Sequence, residues 1–200
     1  ALQTGEHPIP VHRRHFPSLR VASVTLSVVD FFCGCGGTSS GLSSLGMDIL
    51  CGVDFDETAL KTYQLNISDA LAICTDIRDL SVKELREKVA IPTSGLVISA
   101  CAPCQPFSKQ NRGRFGNESD ARSNLIDELD RFILALKPDY VLLENVPGLQ
   151  GHPDSPYARF KSFLVDHKYS VTEDVLNTAD YGVAQLRKRL ILIASKHGVV

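Results

Sequence analysis

No apolar run in this chain approaches the roughly 18 uninterrupted positions of a membrane span. The first 20 residues, ALQTGEHPIPVHRRHFPSLR, hold charge and proline where a secretory signal would hold its apolar core. A soluble chain is the expectation, with no membrane partner. A charge excess is missing too: 21 Lys and Arg against 23 Asp and Glu leave a net charge of -2. The basic balance usual in nucleic-acid-binding domains is therefore absent, and composition is silent on the partner. The six cysteines, Cys33, Cys35, Cys51, Cys74, Cys101 and Cys104, lack the loop-rich spacing of a small disulfide scaffold and lie within or beside apolar segments. They read as reduced thiols of an intracellular protein. A chain of this length buries roughly 70% of its unfolded surface on folding and needs no disulfide to support its core.

What is present fits one ordinary globular domain, with 44% apolar and 22% charged residues. Residues 1–22 read as a tail or linker and 23–200 as the folded domain. His7, His12 and His15 in the tail have no Cys or acidic partners at ligand spacing, so no metal site is expected. The chain opens on Ala1 and stops two residues after Gly198, which leads us to expect an excised or split piece of something longer.

From Val21 onward short apolar runs alternate with amphipathic stretches. The runs are 24–32, 47–54, 70–74, 95–100, 139–144, 169–176 and 189–195, each β-branched or apolar and of strand length. Between them, Ser81 and Glu84 have capping-box spacing, and Ser155-Pro156 reads as an N-cap with proline at the first helical position. Leu125, Leu129, Phe132, Ile133 and Leu136 share one helical face, with Asp127, Glu128, Asp130 and Arg131 opposite. This alternation predicts a doubly wound α/β fold, a mostly parallel sheet covered by helices on both faces. Such sheets bind ligands at the carboxyl ends of their strands.

The first run is followed by Cys33-Gly34-Cys35-Gly36-Gly37-Thr38-Ser39, a glycine-rich turn opening a helix. The dinucleotide fingerprint G-x-G-x-x-G needs glycine at 39, where Ser39 stands, so a different adenosine-containing ligand is expected. The second run ends in Asp54-Phe55-Asp56, where a carboxylate suits ribose hydroxyls and Phe55 suits adenine stacking. Asp76, after the third run, suits an exocyclic amine. Against this stands the plainer reading of a tight turn and two helix caps. The fourth run leads into Cys101-Ala102-Pro103-Cys104-Gln105-Pro106-Phe107-Ser108. Its C-x-x-C is open to a zinc, a redox or a lone-nucleophile reading. Zinc lacks a well-spaced second pair, and the redox motif would not carry proline on both sides of its second cysteine. The fifth run ends in Glu144-Asn145-Val146, a carboxylate placed by an apolar strand and suited to donate a proton. In Gln185-Leu186-Arg187-Lys188-Arg189, residues 185, 187 and 189 would face one side if extended. A solvated charge run is the plainer alternative.

In this order the pieces resemble the cytosine carbon-5 methyltransferases that use S-adenosylmethionine. FCGCGG, VDFD, TDIRDL, PCQPFS, ENVPGL and QLRKR carry the likeness, over about residues 25–195. The resemblance implies a Rossmann-like methyltransferase fold and transfer of a methyl group to carbon 5 of cytosine in double-stranded DNA. The base would be flipped out and held as a covalent cysteine adduct. S-adenosylmethionine would be the cofactor and S-adenosylhomocysteine its product. Cys104 would be the nucleophile, Glu144 would grip the cytosine ring, and Arg187 and Arg189 would hold the base. Phe32, Gly34, Gly36, Asp54, Phe55, Asp76 and Ile77 would border the cofactor. Gln105, Ser108, Asn145 and Gln185 would meet the substrate, and residues 108–122 would form a lid. Family members continue into a target-recognition region, so a complementing chain or a C-terminal continuation is an expected partner. A tRNA-directed member of the same family and a nicotinamide-dependent oxidoreductase are the alternatives.

Overall fold

The computed structural model describes residues 25–103, 125–151 and 155–199. Among these residues seven strands form one sheet: β1 (Ser27–Phe31), β2 (Asp48–Asp54), β3 (Leu71–Cys74), β4 (Leu96–Ala100), β5 (Tyr140–Asn145), β6 (Ser170–Asn177) and β7 (Lys188–Ser195). Their order is β3-β2-β1-β4-β5-β7-β6. The first five strands pair in parallel, and β7 runs antiparallel to both β5 and β6. The predicted mostly parallel α/β sheet is what forms, and each of the seven apolar runs is one of its strands.

Among the described residues five α-helices lie between them: α1 (Gly37–Ser44), α2 (Glu57–Asn66), α3 (Val82–Lys88), α4 (Leu129–Leu136) and α5 (Pro156–Asp166). The two start signals read from sequence operate. Ser81 accepts from the Glu84 amide while Glu84 accepts from the Ser81 amide, and Ser155 caps α5 by accepting from Ala158 with Pro156 in the first turn. Helix α4 buries Leu129, Phe132, Ile133 and Leu136, the face its periodicity assigned.

Two apolar layers sandwich the sheet. Leu85 of α3, Phe132 of α4 and Phe160 of α5 pack with Val29, Phe31, Ile98 and Leu143 on one face. Leu60 and Tyr63 of α2, with Ile67 just beyond its end, pack with Val28, Ile49 and Val97 on the other, beside Leu42 of α1. Coverage is less even than expected. Leu142, Ile191 and Ile193, on the β5–β7 part of the second face, are only half-buried among the described residues, because α1 and α2 lie over β1–β3. Asp127, Glu128, Asp130 and Arg131, expected opposite the apolar face, are half-buried too. Among the described residues no helix is long and apolar enough to cross a membrane.

Candidate active site

The strand order changes direction between β1 and β4, which leave in opposite directions across the sheet, and a crevice is expected there at the carboxyl ends. On one side lie the ends of β1, β2 and β3; on the other, those of β4 and β5. Because β7 is antiparallel, it starts where its neighbours end, and this brings Arg187 and Arg189 to the same rim.

At the end of β1 the chain turns sharply. Phe32 takes a positive φ of 57°, Gly34 of 51° and Gly36 of 88°. For a bulky side chain such as Phe32 that conformation is uncommon and strained. The Gly34 amide donates to Asp54 Oδ2 at 2.8 Å, while Asp54 Oδ1 accepts from the Asp56 amide. Asp54 therefore ties the glycine loop to the end of β2 and is not a helix cap. Asp56 is the cap of α2, accepting from Thr58 and Ala59. Phe55 projects between them with 72% of its surface exposed. Asp76 is gripped by Arg78, whose Nε and Nη2 reach its two oxygens at 2.9 and 2.5 Å. Those hydrogen bonds hold the Asp76 carboxyl below the usual carboxylate range. Ile77 lies in the core, and its carbonyl accepts from Arg131.

Sequence reasoning passed over the polar cluster beneath this loop. Asp30 is wholly buried in β1 and accepts from Ser39 Oγ at 2.6 Å. Burial pushes its pKa up, and the Ser39 bond opposes the shift. Since Ser39 spends its one proton on Asp30, the Tyr63 hydroxyl, 3.2 Å away, donates to Ser39. Asp30 stands in register between Gly52 on β2 and Ser99 on β4. The signal that could have found it is a carboxylate inside the otherwise apolar run VTLSVVDFF.

Across the crevice, Cys101 Sγ lies 3.3 Å from Thr38 Oγ1 on α1. Burial raises its thiol to about 12, which keeps it protonated at neutral pH. Cys101 is thus poorly suited to be the reactive member of the C-x-x-C pair. Cys33 and Cys51 are buried free thiols, whereas Cys35 and Cys74 are exposed. Cys104, Gln105, Ser108 and the expected lid at 108–122 lie outside the described residues.

Glu144, at the end of β5, pairs with Arg189 Nε at 2.7 Å, both side chains being part-buried. Arg187 is exposed on the same rim, and its charge acts on the Cys101 thiol. Gln185 is exposed in a bend before β7 and not in an extended run, and its carbonyl accepts from Thr178 Oγ1. β7 begins at Lys188, so of the three residues expected in one extended run only Arg189 lies in the strand. Asn145, expected at the substrate, is buried; its Nδ2 donates to the Ala102 carbonyl at 3.1 Å, and its Oδ1 accepts from the Val146 amide. Its side chain braces the segment that leads to Cys104.

The described geometry thus offers two half-sites: an aromatic with carboxylates beside a glycine turn, and a carboxylate–guanidinium pair beside the chain leading to a cysteine. The family model for C-5 cytosine-specific DNA methylases matches residues 26–199. Type II methyltransferase M.XorII of Xanthomonas oryzae is 32% identical over 86% of this chain and 41% of its own length. Type II methylase M.HgiDII of Herpetosiphon aurantiacus is 31% identical over 87% of this chain and 48% of its own. A solved structure of a prophage-encoded E. coli protein, described as a DNA modification methyltransferase, superposes with a TM-score of 0.71 at 26% identity, covering 86% of this chain and 47% of that one. The chain spans about half the length of the curated relatives it matches.

Proposed function

The chain belongs to the C-5 cytosine-specific DNA methylase family, and from that premise we propose that it is the catalytic and cofactor-binding part of a DNA (cytosine-5-)-methyltransferase. The observation that carries this reading is the Glu144–Arg189 ion pair, set one strand away from the segment that leads to Cys104. The proposed domain runs from 23 to 200 and works inside the cell. The Type II names of its relatives favour a restriction–modification setting. Target recognition is assigned to a C-terminal continuation or a complementing chain.

The rim of β1–β3 suits S-adenosylmethionine. Phe55 offers an exposed face for adenine, Asp54 retains lone pairs for ribose hydroxyls beside the Gly34 amide, and Asp76 suits the exocyclic amine. Gly34 has open space where a side chain would project, so a ligand can approach its backbone closely. Phe32, Gly36 and Ile77 complete the border. When bound, the cofactor supplies an electrophilic methyl group, and S-adenosylhomocysteine is left.

Cytosine carbon 5 is a poor nucleophile, and the protein's task is to change that. The Cys104 thiolate forms a bond to carbon 6 while Glu144, in its protonated form, gives its proton to ring nitrogen 3 and accepts from the amino group, which neutralises the ring and turns carbon 5 into the nucleophile. Arg189 fixes the Glu144 carboxyl, and Arg187 adds positive charge beside the base. Once carbon 5 carries the methyl group it loses its proton to water, the bond to Cys104 breaks, nitrogen 3 returns its proton to Glu144, and the thiolate is restored. Gln105, Ser108, Asn145 and Gln185 remain the proposed contacts around the base, Asn145 through the chain it braces. A duplex hides both carbons, so the base must be flipped out at a cost of a few kcal/mol.

The test is transfer of labelled methyl from S-adenosylmethionine to double-stranded DNA by the full-length protein, with tRNA in parallel. DNA carrying 5-fluorocytosine should trap a covalent adduct, because fluorine cannot leave as a proton does. Labelling of tRNA alone, or DNA methylation that persists in Cys104→Ser, would overturn the reading.

A further inference from the structure

We propose that Arg131, together with Glu128, is a positioning residue for the adenine of the cofactor: from α4 it holds the β3–α3 turn in the shape that presents Asp76. This rests on the reading that Asp76 faces the exocyclic amine.

The turn from Asp76 to Leu80 is closed by short local bonds, Asp79 N to Asp76 O at 3.0 Å and Leu80 N to Asp76 O at 3.2 Å. Two of its carbonyls, those of Ile77 and Leu80, point toward α4 and are met by one guanidinium. Arg131 Nη1 donates to Leu80 O at 2.6 Å, and Nη2 donates to Ile77 O. The third edge is used as well, Nε donating to Glu128 Oε2 at 2.9 Å. These contacts span 51 and 54 residues of sequence, so they fix the turn relative to a distant element and do not merely tighten it. The guanidinium is itself anchored, lying 4.3 Å above the ring of Phe132, which is fully buried and packs on Phe31 at the end of β1 with centroids 4.7 Å apart.

A second path reaches the same carboxylate. Arg78 grips both oxygens of Asp76, and Glu128 adds a minor attraction to Arg78 behind those of Asp76 and Asp79. Charges therefore alternate from α4 to the cofactor rim: Arg131, Glu128, Arg78, Asp76. One oxygen of Asp76, Oδ2, takes a single hydrogen bond and keeps a lone pair for an incoming amine. A planar fork with five donors can satisfy two carbonyls and a carboxylate at once, whereas the compact ammonium of lysine cannot span them.

The test compares two ligands by calorimetry on the full-length protein: S-adenosylhomocysteine and S-inosylhomocysteine, whose ring carries an oxygen in place of the amine. Wild type should prefer the adenosyl compound by on the order of tenfold or more, since a site built to accept from an amine rejects its replacement. Arg131→Lys should bind the adenosyl compound about tenfold more weakly and the inosyl compound nearly as before, so the preference collapses. A general loss of packing would weaken both ligands alike. Thermal melting followed by circular dichroism confirms that the variant folds. Where it does not fold, Glu128→Gln, which keeps an acceptor for Nε but removes the charge acting on Arg78, carries the same comparison. A folded variant that keeps the wild-type preference overturns the proposal. A wild-type protein without the preference would instead remove the Asp76 assignment, and the proposal with it, before any variant is made.

Discussion

Gly52→Ala adds a single methyl group in the middle of β2, and the structure says where it would go. Its Cβ would lie 2.4 Å from Tyr63 Cζ, 2.6 Å from Tyr63 Cε2 and 2.7 Å from Cys33 Sγ. Carbon contacts are most favourable at about 3.5–4.0 Å, so the tyrosine ring would have to withdraw by about 1 Å. It has nowhere to go: Tyr63 is wholly buried and its hydroxyl is tied to Ser39, while Cys33 belongs to the glycine turn itself. Overpacking of this kind costs about 1–3 kcal/mol, and losing the Tyr63–Ser39 bond adds about 1 kcal/mol. The sum of about 2–4 kcal/mol leaves a typical domain folded but lowers its melting temperature by about 5–15 °C at this chain length. Weaker binding of S-adenosylhomocysteine should accompany it, because the shifted Cys33 carries Gly34 away from Asp54.

Gly41→Ala is the internal control. It lies in α1 with no atom within 4 Å of the added Cβ and no positive φ, so it should stabilise by about 0.5–1 kcal/mol through helix propensity. Thermal and urea unfolding of the two variants should therefore move in opposite directions. Adding Tyr63→Leu to Gly52→Ala should recover part of the loss, since the two residues compete for one volume. A Gly52→Ala protein that melts at the wild-type temperature, or a double variant whose losses simply add, would refute the steric reasoning.

Cys104→Ser should abolish methyl transfer and leave cofactor affinity nearly unchanged, whereas Cys101→Ser, at a thiol already held protonated by burial, should retain activity; methyl-transfer assays showing equal loss would restore the redox or metal reading of the pair. Asp54→Ala should weaken S-adenosylhomocysteine binding by on the order of 1–3 kcal/mol, through lost ribose contacts and a freed Gly34 amide. NAD should not compete in the same calorimetric titration. Asp130, pushed up to about 6 first by burial and then by Asp127, binds its proton more tightly folded than unfolded. Its contribution to stability is thus present below about pH 4 and lost as pH rises through about 6. Asp130→Asn should gain on wild type by on the order of 1 kcal/mol between pH 4 and pH 7, a figure reduced for its partial exposure and read from unfolding curves at the two pH values.

The fold was legible because its signals are local. Each strand is a short apolar run, and the caps at Ser81 and Ser155 use only neighbours in sequence, so a one-dimensional reading captures them. Direction was not legible. Nothing in RLILIAS says that β7 runs antiparallel, yet this alone brings Arg189 onto Glu144 instead of to the far end of the sheet. Partners at long range were hidden as well. The sequence offers Asp54 as a ribose ligand but not its bond to Gly34, 20 residues away, and Asn145 as a substrate contact but not the amide bond that spans 43 residues to Ala102. Arg131 looked like one charge among four on a polar helix face; its two carbonyl acceptors appear only when α4 and the β3–α3 turn are packed together.

Strand order also explains why two chemistries can share one rim without interfering. The three strands on the β2 side of the switch end in groups that suit a nucleoside, namely a glycine turn, an exposed aromatic and two carboxylates. On the β4 side, β4, β5 and β7 meet in a carboxylate–guanidinium pair and the segment leading to a thiol. The contact between them is short: Thr38 of α1 meets Cys101 at 3.3 Å, and the Asp30 cluster lies directly below, between Gly52 and Ser99. A buried acid there costs stability, which an apolar residue would not, but its bond to Ser39 fixes the first turn of α1 against β1. The glycine turn and the helix residue that touches the cysteine segment are thereby held by one group. Displacing Ser39 should disturb both half-sites together, and displacing Arg131 only the adenine side.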